Sequence, residues 1–183
     1  MREADGDTRG HHARPEDATE PCRDSEYIWV APDSFSVGRE LGLSSREMEM
    51  LEYAGLLHDI GKIAIQNDIL LRVGPLTEEE WRSLKAHPNI GADIVEQLKF
   101  LREAAGVIRS HHERPDGTGY PRGLRSEEIP LAARILNVVD AFDAMVSDRP
   151  YRKALSIERV IEELETYKGT QFDSEVTDII LDL

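Results

Sequence analysis

The chain contains 183 residues, of which 40% are hydrophobic and 32% are charged, and its formal net charge at pH 7 is −14. That length is typical of one well-buried domain, and the excess of acidic groups argues against a nucleic acid polymer as partner, because such proteins present a basic surface. The single cysteine, Cys22, excludes an internal disulfide framework, and no apolar run is long enough for a membrane segment or a signal peptide, so we expect a cytoplasmic protein.

The composition changes once along the chain. Residues 1–26 carry almost no large apolar side chain and mix Asp, Glu, Arg, Gly and Pro, which is typical of a disordered or linker-like N-terminal arm. We place one domain over residues 27–183, with clear helical signals from Val37 onward. Pro32 lies within its first helix, 27–41, and because proline interrupts a helix we expect that helix to be atypical.

A capping box predicts the start of the first well-defined helix. In such a box a serine or threonine and a glutamate three residues later each bond the other's backbone N–H. Ser44 and Glu47 fit this pattern and predict a helix to about Leu57. Apolar residues recur along it at helical spacing on a face that ends at His58, so we expect His58 to point inward.

A second capping box, Thr77 with Glu80, predicts a helix that leads toward His87. Pro88 is typical of the first turn of a helix, and the helix that it begins carries an apolar stripe that we expect to form its inner face. The members of that stripe are Ile90, Ile94, Val95 and Leu98.

The remaining helices complete an all-α prediction. Residues 102–112 predict a helix that ends at two histidines, and Pro130 begins a long apolar helix to about Val146. Ser156 and Asp173 are typical caps for two final helices. No segment alternates with period two, so the predicted fold class is all-α. The residues of the long helix that we expect to pack inward are Ile135, Val138, Val139, Phe142 and Met145.

Two strings of adjacent ligand-type residues indicate chemistry. Residues 58–62 read HDIGK and residues 111–121 read HHERPDGTGYP. Neighbours on a helix diverge by roughly 100°, so adjacent ligands suit a site that wraps a helix end, or a carboxylate that bridges two metals. Imidazole with carboxylate favours Fe, Mn or Zn, and the number of candidates exceeds what one tetrahedral ion uses, which favours two metals. The candidates are His58, Asp59, His87, His111, His112 and Asp140.

Each candidate ligand also has a structural interpretation when it is taken alone. His58 can be a hydrogen-bonded core histidine, and His87 can close a helix. His111 and His112 can occupy an exposed helix C-terminus. Asp140, within an apolar helix, is harder to explain in this way, because an unpaired buried carboxylate is costly. The joint pattern therefore favours a functional site.

In this order the motifs resemble those of the HD-GYP family, a branch of the HD phosphohydrolases that hydrolyses the bacterial second messenger cyclic di-GMP. The resemblance runs from about Val37 to the C-terminus, and the full GYP string makes it specific. Its motifs are HDIGK at 58–62, HP at 87–88, HHERPDGTGYP at 111–121, NVVDAFDAM at 137–145 and RPYRKA at 149–154.

The resemblance implies an HD-domain helical bundle around a binuclear metal centre, with two divalent ions, Fe or Mn. Asp59 would bridge the ions, and His58 and Asp140 would complete one of them. Water between the ions would attack one phosphorus of the cyclic dinucleotide. The residues that would bind the other ion are His87, His111 and His112.

The resemblance also implies contacts with the substrate. Lys62, a catalytic residue with Asp59, would offset charge that develops on the phosphate. Tyr120 would stack on guanine, in a loop whose glycines allow close approach to a ligand. A structural alternative is that Lys62 is an exposed lysine and that Tyr120 packs over the bundle. The implied substrate-binding residues are Gly119, Tyr120, Pro121, Arg149, Arg152, Lys153 and Asp143, the last of which would orient the ligand or the loop.

The N-terminal part of the chain departs from the family's pattern. Family members place a histidine in the first helix where this chain has Glu26. Glu26 would either ligate the metal as a carboxylate, which favours Fe or Mn, or be a solvated residue of the arm. Cys22 stands where some members place a glutamate for a third metal, so we expect no third ion. Residues 1–36 would derive from a region that has drifted, been replaced, or been truncated from a sensor or receiver domain.

We therefore expect a metal-dependent phosphodiesterase that opens cyclic di-GMP to linear pGpG, and onward to GMP, in bacterial signalling. Two alternatives stay open. One is a phosphodiesterase for another cyclic dinucleotide. The other is a catalytically impaired module that binds nucleotide or docks a partner such as a diguanylate cyclase. The remaining partners that we expect are a sensor or receiver domain and a second copy of the chain in a homodimer.

Overall fold

The computed structural model of the protein describes residues 34–148 and 153–182. Within these ranges the only bridge between extended residues is an isolated one, from Lys168 to Phe172, so the predicted all-α class is confirmed. No helix in the described ranges is long and apolar enough to cross a membrane. The helices are α1 (34–40), α2 (Ser45–Leu57), α3 (Asn67–Leu70), α4 (Glu78–Leu84), α5 (His87–Glu96), α6 (Ala104–Ser110), α7 (Leu131–Val146), α8 (Ile157–Tyr167) and α9 (Ser174–Asp182), with 3-10 turns at Ile60–Ala64 and Ser126–Glu128.

Both predicted capping boxes are present. The Ser44 hydroxyl accepts from the Glu47 N–H, and the Glu47 carboxylate accepts from the Ser44 N–H at 2.8 Å. Thr77 and Glu80 make the same pair of bonds at the start of α4. These caps fix the beginnings of the two helices that lead to His58 and His87.

The core lies between α2, α5, α6 and α7. Helix α6 packs against α5 and α2, and α7 packs against α2, α6, α8 and α9. The long helix α7 ends at Val146 as predicted, and of its expected inner residues Phe142 and Met145 are partly buried while the other three are buried. This packing brings the C-terminal ends of α2 and α6 to the N-terminal end of α5, where the predicted ligands lie.

Two details of the sequence prediction were wrong. Of the predicted apolar stripe, Val95 is buried, but Ile94 is 42% exposed, and Leu98, which is 47% exposed, lies beyond the end of α5. The buried face of α5 also includes the small residues Gly91 and Ala92, because α5 approaches α6 and the first 3-10 turn closely there. The helix predicted over 102–112 is also shorter, since α6 ends at Ser110.

Candidate metal centre and cleft

Three histidines converge at helix ends. His87 is the first residue of α5, and His111 and His112 directly follow α6. Their ligand atoms all lie within 4.8 Å of one another. The Nε2 atoms of His87 and His111 are 3.4 Å apart. His87 and His111 are buried, at 2% and 0% exposed.

The backbone fixes the orientation of three imidazole rings. In each ring Nδ1 lies within hydrogen-bond distance of the carbonyl oxygen three residues earlier, and a carbonyl can only accept. Nδ1 therefore donates to that carbonyl, which orients Nε2 of each ring toward the site, as in metal-ligating histidines. The pairs are His58 with Gly55 at 2.8 Å, His87 with Leu84 at 2.7 Å, and His111 with Ile108 at 2.6 Å.

Asp59 lies between His58 and His87. Its Oδ2 is 3.6 Å from Nε2 of His58, and its Oδ1 is 3.4 Å from Nε2 of His87. The same His58 nitrogen is 3.7 Å from Oδ1 of Asp140. Ligands at roughly 2.0–2.2 Å from one ion lie about 3–3.5 Å from each other, close to these separations. All these atoms are electron-pair donors facing one another, an arrangement that bound cations stabilise, so the residues fit a metal centre.

The regular helix ends between His58 and Asp59, and both adjacent side chains face the same centre. His58 ends α2 with helical backbone angles, whereas Asp59 has φ −97° and ψ 1° and precedes the 3-10 turn. The site therefore surrounds the end of a helix. One oxygen of Asp59 faces His58, and the other faces His87. Of the two geometries that the adjacent pair indicated, a site at a helix end is therefore present.

Charge states in the site favour ligation. Burial lowers the pKa of His87, lowers that of His111 well below its usual range, and lowers that of His112 to about 3, so these rings are neutral near pH 7. Burial alone would raise the pKa of Asp59, but His58, Lys62 and His87 outweigh it and lower the pKa. The Lys62 ammonium donates to Oδ2 of Asp59. Neutral imidazoles beside an ionised carboxylate are the forms that bind metal.

Gly61 allows the first 3-10 turn to touch α5. A Cβ added at this position would lie 2.0 Å from the His87 carbonyl oxygen and 2.6 Å from the Gly91 nitrogen. Both atoms belong to backbone, so they cannot move aside as a flexible side chain would. The contact holds the HDIGK string against the histidine that begins α5.

The loop at residues 114–125, which we call the GYP loop, is held by a residue that the sequence analysis did not single out. Glu113 is 1% exposed, and its two oxygens accept from the backbone N–H groups of Arg122, at 2.7 Å, and Leu124, at 3.0 Å. The Tyr120 N–H donates to the His112 carbonyl at 3.2 Å. The signal in the sequence that could have identified Glu113 was its position as an acidic residue directly after the histidine pair. Glu113 thus fixes the path of the loop beyond the metal ligands.

A cleft of about 1010 Å³ opens beside His112 and Asp140. Tyr120 and Pro121 line it as predicted, and the Tyr120 ring centroid is 4.9 Å from that of His112. Gly119 instead packs behind the loop, where an added Cβ would lie 2.4 Å from the Arg114 nitrogen. Further side chains that line the cleft, and that the sequence analysis did not assign, include Trp81, Arg82, Lys85, Asn89, Arg114 and Asn137.

The other predicted site residues lie elsewhere or outside the described ranges. Asp143 is buried in α7 and accepts from the Ser147 hydroxyl at 3.5 Å. Lys153 pairs with Asp148 at 2.7 Å and does not line the cleft. The predicted residues outside the described ranges are Cys22, Glu26, Pro32, Arg149 and Arg152, together with the arm at 1–26.

Comparisons with known proteins show which family the chain resembles in sequence. A family model described as an HD domain matches residues 16–176. The cyclic di-GMP phosphodiesterase response regulator RpfG of Xanthomonas campestris pv. campestris is 44% identical over 147 residues, which are 79% of this chain and 39% of that protein. The 3'3'-cGAMP-specific phosphodiesterase 3 of Vibrio cholerae is 38% identical over 159 residues, 87% of this chain and 35% of that protein. The chain thus spans well under half the length of these curated relatives.

A solved structure has the same fold. Bd1817, a HDG"Y"P protein from Bdellovibrio bacteriovorus, superposes with a TM-score of 0.69 at 21% identity, over 86% of this chain and 52% of that one. At that identity the likeness concerns the helical architecture rather than the activity.

Proposed function

Since this chain belongs to the HD domain family, in its HD-GYP branch, we propose that it is a metal-dependent phosphodiesterase that opens cyclic di-GMP to linear pGpG, and onward to GMP. The observation that carries the proposal is Asp59, whose two oxygens face histidines on either side within a cluster of convergent ligand atoms. The name of the Xanthomonas relative supports the substrate.

We infer that two divalent ions, Fe or Mn, occupy the centre. Neutral imidazoles mixed with carboxylates suit these metals, and the separations about Asp59 suit a shared carboxylate. When bound, such ions activate water for attack on phosphorus and neutralise charge on phosphate oxygens. The residues that would hold them are His58, Asp59, Asp140, His87, His111 and His112, with Glu26 as a further candidate.

The chain's own groups would bind and orient the substrate. The Lys62 ammonium, beside Asp59, places positive charge next to the reacting phosphate and stabilises the charge that develops there. Tyr120, adjacent to His112, offers its ring to a guanine base. Arg149 and Arg152 would add phosphate contacts, since guanidinium groups bind phosphate in a bidentate manner.

A second candidate substrate is a hybrid cyclic dinucleotide. It is favoured by the 38% identity to the 3'3'-cGAMP-specific phosphodiesterase of Vibrio cholerae, which extends over 87% of this chain. Both candidates require the same reaction at phosphorus and differ only in the bases that the cleft selects.

The test is turnover by the purified chain, supplied with Mn(II) or Fe(II) under reducing conditions and given each cyclic dinucleotide separately. Chromatography would resolve linear dinucleotide and mononucleotide products. Asp59→Ala should lower kcat by on the order of 10³-fold or more, because metal catalysis supplies several kcal/mol. Asp68→Ala, at an exposed position of α3, is the matched control and should retain the wild-type rate. Tight nucleotide binding without turnover would instead identify a binding module.

A further inference from the structure

The wall of the cleft formed by α4 and its C-terminal cap carries an exposed aromatic side chain. Trp81 lines the cleft and is 47% exposed. Lys85 lies four residues later, on the same face of the helix, and also lines the cleft. A large indole left open to a polar cleft is a typical platform for a nucleobase.

The Lys85 ammonium bridges two structural elements. It lies 5.8 Å from the Trp81 ring centroid and 5.3 Å from the Tyr120 ring centroid. A cation–π contact within α4 alone would be an ordinary surface pair, but the second ring belongs to the GYP loop. Within the described ranges Lys85 forms no ion pair with a carboxylate, so its charge remains available to an anion.

Helix α4 also fixes the distance of this wall from the metal centre. The Leu84 carbonyl, in the last turn of α4, accepts from Nδ1 of His87 at 2.7 Å. At the other end, Glu80 completes the capping box and pairs with Arg72 at 2.6 Å. The helix that orients a metal ligand therefore also presents Trp81 and Lys85.

We propose that Trp81 and Lys85 form a subsite for the half of the dinucleotide that is not being cleaved, an inference that rests on the proposed function. A cyclic dinucleotide carries two bases and two phosphates, of which one phosphate reacts at the metal centre. The cleft of about 1010 Å³ continues from His112 past Tyr120 to this wall. Trp81 stacks on the distal purine, and Lys85 binds the second phosphate. In a chain with net charge −14, an anion requires such a locally placed cation.

The first test compares two substrates. Bis(p-nitrophenyl) phosphate offers a reacting phosphodiester but neither a purine nor a second phosphate. For Trp81→Ala and Lys85→Ala, the ratio of kcat/KM for cyclic di-GMP to kcat/KM for this small diester should fall by on the order of tenfold, as expected for the loss of one base stack in the first variant and of one charged hydrogen bond to phosphate in the second. Trp81→Phe and Lys85→Arg should recover part of the ratio. The exposed controls Phe100→Ala and Lys99→Ala should keep it.

The second test measures binding independently of turnover. Trp29→Phe leaves Trp81 as the sole tryptophan, since the chain has two. Cyclic di-GMP should quench its emission, and Lys85→Ala in this background should raise Kd by on the order of tenfold. Hydrolysis with an unchanged kcat/KM ratio in Trp81→Ala and Lys85→Ala would overturn the subsite but not the proposed hydrolysis. Binding of cyclic di-GMP that does not quench Trp81 would do the same. Quenching and a weakened Kd without turnover would support the subsite while contradicting the proposed hydrolysis.

Discussion

The metal centre and the cleft wall are held in place by different means. In the centre, His58, His87 and His111 are buried, and each ring is fixed by a bond to its own backbone three residues earlier. At the wall, Trp81 and Lys85 are exposed, and the Lys85 side chain contacts the rings of Trp81 and Tyr120. The rings proposed to hold the metal are thus fixed by hydrogen bonds to the backbone, whereas the side chains proposed to select the substrate are not.

This difference indicates that chemistry and selectivity can change separately. A substitution at the wall leaves the helix ends in place, so it should alter affinity for the nucleotide without removing metal. A substitution that moves a helix end should remove metal and, with it, turnover of every diester. Two glycines allow this contrast to be tested, because Gly61 permits a close backbone contact beside the metal centre and Gly119 permits one in the cleft-lining loop that carries Tyr120.

Gly61→Ala should have the largest effect. The new Cβ would lie 2.0 Å from the His87 carbonyl oxygen, so the HDIGK string must move away from α5. We expect metal affinity to fall by about 10–100-fold, as it does when the support of a ligand is lost. Titration with Mn(II) of the metal-free protein would measure it. Gly106→Ala, in α6 with no heavy atom near its added Cβ, is the matched control and should bind metal normally. Unchanged affinity in Gly61→Ala would contradict the account.

Gly119→Ala should affect the substrate rather than the metal. Its Cβ would lie 2.4 Å from the Arg114 nitrogen, so the loop that carries Tyr120 must shift, and we expect Tyr120 to leave its position in the cleft. We expect KM for cyclic di-GMP to rise on the order of tenfold, corresponding to one lost stacking contact, with metal content unaltered. Loss of metal in this variant would show that the two regions are not separable.

Glu113→Gln should destabilise the fold. The amide that replaces one oxygen faces a backbone N–H, either of Arg122 or of Leu124, and leaves that buried donor unsatisfied. The expected loss is about 1–3 kcal/mol in the free energy of unfolding, measured by urea denaturation. The exposed Glu127→Gln is the control and should remain within about 0.5 kcal/mol of wild type. Equal stability of both variants would remove the role assigned to Glu113.

The metal-free protein should lose stability as pH falls below about 6.5, the usual pKa of histidine in an unfolded chain. Burial lowers the pKa of His112 to about 3, so between these values the unfolded state binds more protons than the folded state. This residue alone then contributes a slope of about 1.4 kcal/mol per pH unit near pH 5. Denaturation at several pH values in the presence of chelator would measure the slope. His112→Gln should make it shallower, and an identical slope would contradict the expected neutrality of the ring.

Much of the site was predictable because its ligands occur in short strings. HDIGK and the HHERPDGTGYP segment place ligands next to each other in sequence, and the capping boxes at Ser44 and Thr77 fix where the supporting helices begin. Adjacent ligands can be recognised directly in a short string, and local hydrogen bonding determines a capping box, so the sequence alone predicts both features.

Other features depend on contacts between distant residues and were not predictable in the same way. Glu113 has its role only because the chain returns at Arg122, and Lys85 only because Tyr120 lies over it. The inner face of α5 was predicted only in part, at Val95, because apolar spacing does not reveal which side a neighbouring helix approaches, and the remaining contact is at Gly91 and Ala92.

The most direct test of the central claim is the metal content of the purified chain, measured in the same sample that is assayed with cyclic di-GMP. The account predicts about two ions of Fe or Mn per chain together with formation of linear product. Asp59→Ala should lose both the metal and the formation of product, since the Asp59 oxygens face His58 on one side and His87 on the other. Turnover that persists in Asp59→Ala, or in a sample freed of metal by chelation, would contradict the two-metal account.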